Sequence, residues 1–245
     1  MSFIITMYVR EGIVMASDSR LTLSTETERE DKKIVNLSVG LSDSNYKTFV
    51  TPNHIGISTF GAADVQGVPM AGFIESFISE KPGGAGATVD EVAKRLLSHF
   101  HALKPTPPVS FHVAGYGQGP GGQREQHVWL VNVAQGQVAR LNPAGHPGAS
   151  WGGEGDIFAR LVQPVAQVDE KGTVVQRLPH YPLPWQFYTL QDAIDFCVFA
   201  VGATIDAIRF QPRAKSVGGP IDVLVVKPDG ATWIQRKQLH GTNPA

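Results

Sequence analysis

Two short apolar runs, residues 3–10 and 12–17, lie within the first twenty positions and meet at the charged pair Arg10 and Glu11. Runs of this length, rich in Ile, Val and Met and closed by polar residues, read as two neighbouring strands. Ser2 stands just before the first run and Asp18 just after the second, sixteen residues on. Antiparallel pairing of the two runs returns Asp18 to the level of Ser2, so any fold this chain adopts has to accommodate a carboxylate beside its N-terminal serine.

Position 2 matters chemically. Initiator Met is generally trimmed when the next side chain is small, and trimming here leaves Ser2 with both a hydroxyl and a free α-amine. An α-amine titrates near pH 7.7–8.0, close to working pH, so it can take the hydroxyl proton without a histidine. Many proteins begin Met-Ser, and the dipeptide alone carries little weight.

Two further blocks carry more: GIVMASDSR, ending at Arg20, and YKTFVTPNHIGISTFGAAD, from Tyr46 to Asp64. With SVGGPIDVLVV, from Ser216 to Val226, they resemble the proteasome-type branch of the N-terminal-nucleophile hydrolases. Within that branch they look closer to bacterial proteasome-like subunits, the Anbu type and the related beta-proteobacterial homologue, than to the shorter subunit of the HslV protease. The resemblance implies a four-layer αββα sandwich and a peptidase in which Ser2 takes the place of the family's N-terminal Thr. It further implies that Asp18 and Lys47 form an ion pair beside Ser2, and that Gly61 offers a backbone N–H to the oxyanion. An ammonium near the hydroxyl favours the alkoxide, and the carboxylate keeps that ammonium charged and oriented. Arg20 matches a family Arg near the site, and it reads equally well as a solvated turn residue. Without the methyl of Thr, the Ser2 hydroxyl is freer in its rotamer, which points to lower activity than in a Thr enzyme.

The chain departs from the pattern in two places. The family's supporting Ser and Asp fall in segments that here read WGGEG, at 151–155, and RAKSVGG, at 213–219. No Asp precedes Ser216 at the expected spacing, and no Ser lies within 151–155, which leaves Ser150, Glu154 and Ser216 as the candidate supporting residues. A polar stretch containing TETEREDKK is also inserted between Arg20 and Lys47, as expected of an extended surface hairpin or an arm reaching a neighbouring subunit.

Composition agrees with one domain over residues 1–245. The chain is 42% hydrophobic with a formal charge of −1, long enough for a sizeable core and without the charge excess that suits nucleic acid or an anionic membrane. No run approaches the roughly eighteen apolar residues of a membrane span. No basic segment precedes the first apolar run, so no secretory signal is read and the expected compartment is the cytoplasm. The one cysteine, Cys197, sits in the apolar helical run DAIDFCVFAVGATIDAI and reads as a buried small hydrophobe.

Further strands are expected at 47–51, 54–60, 109–117, 127–134 and 137–141, and a closing hairpin at 221–226 and 231–235. Two helices are expected before residue 105, the second opened by Thr88 and Glu91 in capping-box spacing, and a long helix runs from Thr189 to just before Pro212. Periodicity by itself supports α+β. Residues 163–185, with several prolines, read as irregular surface, and PGGAGA at 82–87 as a linker. GYGQGPGG at 115–122 lacks a following Lys-Ser or Lys-Thr and reads as a hairpin tip rather than a phosphate cradle. His99 and His101 lie two apart on a helical pattern and face different ways, so no metal is expected, nor any other cofactor.

The expected function is hydrolysis of peptides or unfolded protein by a self-compartmentalising subunit. The resemblance implies a homo-oligomeric ring and is compatible with an ATP-dependent unfoldase as partner. Two alternatives stay open: a small-amide hydrolase of the same chemistry, and a catalytically silent assembly subunit.

Overall fold

The computed structural model describes residues 2–28, 34–80 and 84–238. The N-terminal hairpin, β1 (Phe3–Val9) and β2 (Gly12–Ser17), pairs Ile4 with Ser17 and Tyr8 with Ile13. A two-stranded ribbon follows, β3 (Leu21–Glu28) and β4 (Ile34–Ser42); residues 29–33 of the polar insertion lie outside the described residues. Next come β5 (Thr48–Val50), β6 (Gly56–Gly61) and the short pair β7 (Asp64–Val65) and β8 (Val68–Pro69), which leads into α1 (Met70–Ser79) and α2 (Val89–His101). A meander of β9 (Val109–Gln118), β10 (Arg124–Asn132) and β11 (Gln137–Arg140) precedes β12 (Gly148–Gly153) and α3 (Asp156–Val162). The chain then forms β13 (Ala166–Val168), β14 (Val174–Arg177), α4 (Leu190–Phe210) and the hairpin β15 (Asp222–Lys227) and β16 (Gly230–Gln235).

The result is a mixed α and β protein built on two five-stranded antiparallel sheets, ordered β12-β1-β2-β15-β16 and β11-β10-β9-β6-β5. Every residue of β1 and β2 is buried, because both faces of the hairpin are covered. Phe3, Ile5, Met7 and Val9 alternate onto one face and pack with Phe158 of α3 and with Cys197, Ala200 and Val201 of α4. Tyr8, Ile13 and Met15 face the other way and meet Ala114 of β9 and Val128 of β10 in the second sheet. That sheet's far face, with Ile57, Phe111 and Val113, packs on Ile74 and Phe77 of α1 and on Leu96 and Phe100 of α2.

Two helix starts follow from local chemistry. Thr88 accepts from the Glu91 amide while the Glu91 carboxylate accepts from the Thr88 amide, and Thr189 and Asp192 repeat the arrangement on α4. Helix α4 ends at Phe210, ahead of Pro212. Burial among apolar side chains pushes the Cys197 thiol well above its ordinary range, which leaves it unreactive. No helix among the described residues is long and apolar enough to cross a membrane.

Residues 163–185 differ from the expectation. They contain the hairpin β13–β14, with Ala166 opposite Arg177. Its turn is closed by the Asp169 carboxylate, which accepts from the amides of Lys171 and Thr173. Both strands are exposed on both faces, so they carry no alternation of apolar and polar residues that would mark them. Residues 82 and 83 of the expected linker lie outside the described residues; the rest begins with a turn of 3-10 helix at Gly84–Gly86.

Between the sheets, His112 is 2% exposed, and its Nδ1 lies 3.0 Å from Thr6 Oγ1. Burial holds its imidazole down to about 4, whereas in the unfolded chain it titrates near 6.5. The unfolded chain therefore takes up a proton below pH 6.5 that the folded chain refuses. The stability contribution is fully present above 6.5 and is lost as pH falls toward about 4, to a total of about 3 kcal/mol. Urea unfolding at pH 7 and pH 4.5 is expected to show a smaller acid loss in His112→Gln than in the parent protein. Equal losses in the two proteins would exclude His112 as the source.

Candidate active site

Asp18 leaves the end of β2 with its carboxylate fully buried, and four donors meet it. Oδ1 accepts from the Phe3 amide at 3.0 Å and from the Lys47 ammonium at 2.7 Å. Oδ2 accepts from the amides of Arg20 at 3.1 Å and Gly218 at 3.0 Å. One carboxylate thus joins the start of β1, the turn after β2, the residue before β5 and the loop before β15. A buried charge satisfied this fully is held in one geometry.

Lys47 is 2% exposed. Burial draws its proton affinity below the ordinary lysine range, and the charge and hydrogen bond of Asp18 oppose that pull. The Lys47 carbonyl accepts from the Thr59 amide at 2.8 Å, which ties the lysine to β6. Gly61 ends the same strand about 7 Å further along. Its φ is +104°, and a Cβ there would lie 2.6 Å from the Pro108 carbonyl oxygen, so glycine alone lets the chain bend at this point.

Ser2 is 7% exposed. Its carbonyl accepts from the Glu154 amide at 2.8 Å, just beyond the end of β12. Gly153, opposite Phe3, has φ +87°, and a Cβ on it would stand 1.8 Å from the Ser2 carbonyl oxygen. The peptide joining Ser2 to Phe3 is therefore gripped on two sides. Its carbonyl is held beside Gly153, and its amide donates to the same Asp18 oxygen that holds Lys47.

Glu154, whose amide holds the Ser2 carbonyl, meets Ser216, with Ser216 Oγ donating to Glu154 Oε1 at 3.1 Å. Arg213, three residues before Ser216 where the resemblance implies an Asp, lies 3.6 Å from Glu154 and donates to both Asp156 oxygens at 3.1 Å. The carboxylates at this corner are those of Glu154 and Asp156. The Arg20 guanidinium makes a two-pronged pair with Asp43, at 2.6 and 2.7 Å, and also reaches the Lys215 carbonyl. Only its backbone amide touches Asp18.

Ser150 is not brought to Ser2. In the register of β1 and β12 it stands opposite Thr6, three residues along from Phe3, and its hydroxyl lies 3.4 Å from that of Tyr8. Arg213, Gly153 and Gly218 also contact these residues and were not anticipated, nor were the nearby pair of Asp222, which is buried opposite Ser17, and Lys237, whose side chain is 4% exposed. Of these, only Arg213 leaves a readable trace in the sequence, as a basic residue at a position where an acid is expected. Among the described residues, no group of three or more His, Cys, Asp or Glu side chains is placed to hold a metal ion.

Fold and site together define a two-sheet α and β protein with a buried lysine–aspartate pair fastened to its N-terminal strand. No protein-family model matches this chain, and no curated protein matches it significantly.

Proposed function

We propose that the chain is a proteasome-like N-terminal-nucleophile hydrolase subunit with the four-layer αββα arrangement, acting on peptide bonds. The three apolar cores, in the order helices, sheet, sheet, helices, support that fold. The observation that carries the function is the buried Lys47 ammonium on the Asp18 oxygen that also binds the Phe3 amide, one residue from Ser2.

Removal of Met1, which lies outside the described residues, frees the Ser2 amine. Ser2 Oγ attacks the substrate carbonyl carbon while its proton passes to the Ser2 α-amine. Lys47 stabilises the developing alkoxide, and the Gly61 amide receives the oxyanion, a contribution of a few kcal/mol for such a donor. As the C–N bond breaks, the α-ammonium returns its proton to the leaving amine, and water then hydrolyses the ester. The Glu154 amide holds the Ser2 carbonyl, and Ser216 donates to the Glu154 carboxylate. Assembly into a homo-oligomeric ring in the cytoplasm, with or without an ATP-dependent unfoldase, belongs to the same reading.

The test is the intact mass of untagged protein after incubation with a peptide epoxyketone, which closes its ring adduct only on a residue carrying both a free α-amine and a hydroxyl. An adduct on a chain lacking Met1 is the expected result. Retained Met1 with no adduct would overturn the mechanism and favour a silent assembly subunit, for which the exchange of acid for Arg213 is the supporting observation. Loss of Met1 with no adduct would remove the peptidase reading and leave a small-amide hydrolase.

A further inference from the structure

Beside the Lys47–Asp18 pair lies a second buried ion pair that the reaction above does not use. Asp222 is the first residue of β15 and stands opposite Ser17, the neighbour of Asp18. Its Oδ1 accepts from the Lys237 amide at 2.8 Å, and its Oδ2 holds the Lys237 ammonium. The two side chains are 0% and 4% exposed. The Lys237 ammonium also sits 4.4 Å from the centre of the Tyr46 ring, and the Tyr46 hydroxyl donates to the Lys237 carbonyl. Tyr46 immediately precedes Lys47, so both partners of the first pair are sequence neighbours of residues that the second pair touches.

Burying a charge costs considerable energy, so a second lysine with its side chain 4% exposed, lying over the residue next to Lys47, is not accounted for by folding alone. We propose that Lys237, clamped by Asp222, is a positioning residue for Lys47: it anchors Tyr46 and holds a second buried ammonium against the Lys47–Asp18 pair. The charged groups facing Lys47 are Asp18 from the end of β2, Asp43 from the end of β4 and Lys237 from beyond β16. The first two favour the Lys47 ammonium, while Lys237 and burial disfavour it. Asp18 acts on Lys237 as well, so the two pairs share one carboxylate's field. Lys237 therefore makes Lys47 surrender its proton at a lower pH. In catalysis this brings the alkaline limb of the rate profile toward neutrality, a consequence that rests on the hydrolase reading above.

The test is an NMR pH titration of protein labelled with 13C at the lysine ε carbon, with the Lys47 signal assigned through Lys47→Arg. In Lys237→Met the Lys47 midpoint is expected to move to higher pH, and in Lys237→Arg, which keeps the charge, to stay near that of the parent protein. An unmoved midpoint in a folded Lys237→Met protein would overturn the proposal. If Lys237→Met fails to fold because Asp222 is left unpaired, the neutral double variant Asp222→Asn with Lys237→Met takes its place. Its Lys47 midpoint is also expected to rise, and an unmoved midpoint would likewise overturn the proposal. The pH dependence of epoxyketone addition to Ser2, followed in the same proteins, separates the two ideas. A shifted Lys47 with no addition in any protein keeps the positioning role and removes the hydrolase; addition throughout with an unmoved Lys47 does the reverse.

Discussion

Asp18→Ala is expected to destabilise the protein by about 3–5 kcal/mol, the usual loss when one partner of a buried ion pair is removed. The substitution leaves the Lys47 ammonium buried without its counter-charge and strips acceptors from the amides of Phe3, Arg20 and Gly218. Each orphaned buried donor is by itself a loss of about 1–3 kcal/mol, although the effects overlap. Pairing Asp18→Asn with Lys47→Met removes both charges and is expected to recover a large part of the stability, since a buried pair replaced by neutral groups is often close to neutral overall. Urea unfolding at pH 7 measures both variants. A loss below about 1 kcal/mol in Asp18→Ala would mean that water reaches the lysine and that the pair does not close the corner.

Ser2→Ala is expected to lower hydrolysis of a fluorogenic peptide on the order of 10⁴-fold or more, the scale on which removal of a nucleophile is felt. Stability is expected to stay near that of the parent protein, because the grip on residue 2 is made by its backbone, through Glu154 and Gly153. Ser2→Thr is expected to retain activity, since the added methyl narrows the hydroxyl's rotamers without removing it. A rate in Ser2→Ala within tenfold of the parent would place the nucleophile elsewhere and end the proposed mechanism.

The parts of this architecture legible in the sequence are those whose signals are local. The apolar runs of β1 and β2, the paired caps on α2 and α4, and the Pro-Asp-Gly turn between β15 and β16 each need only a few neighbouring residues to be read. Strand β12 went unrecognised because GASWGG has three glycines and no alternation. It is a strand because β1 supplies its pairing partner, and glycine at 153 is required where it passes Ser2. The exposed hairpin β13–β14 escaped for the related reason that no core imposes a pattern on it.

The candidate site divides along the same line. Ser2, Asp18, Lys47 and Gly61 stand in ordered blocks that can be recognised along the chain, and the structure joins Asp18, Lys47 and the Ser2–Phe3 peptide through hydrogen bonds. Ser150 and Glu154 were equal candidates by proximity in sequence. Register separates them, placing Glu154 at the Ser2 carbonyl and Ser150 three residues down the strand.

The sequence by itself determined which segments are apolar enough to be strands and helices, where the long helices begin and end, and which polar residues stand at the strand ends. Only the tertiary structure decided that Glu154 meets Ser216 and Arg213, and that Lys237, paired with Asp222, lies over the ring of Tyr46, far away along the chain. The reason is physical: propensity and capping act over a few residues, whereas a buried charge is made tolerable by whichever partner the packed sheets bring within hydrogen-bond reach, at any separation in sequence.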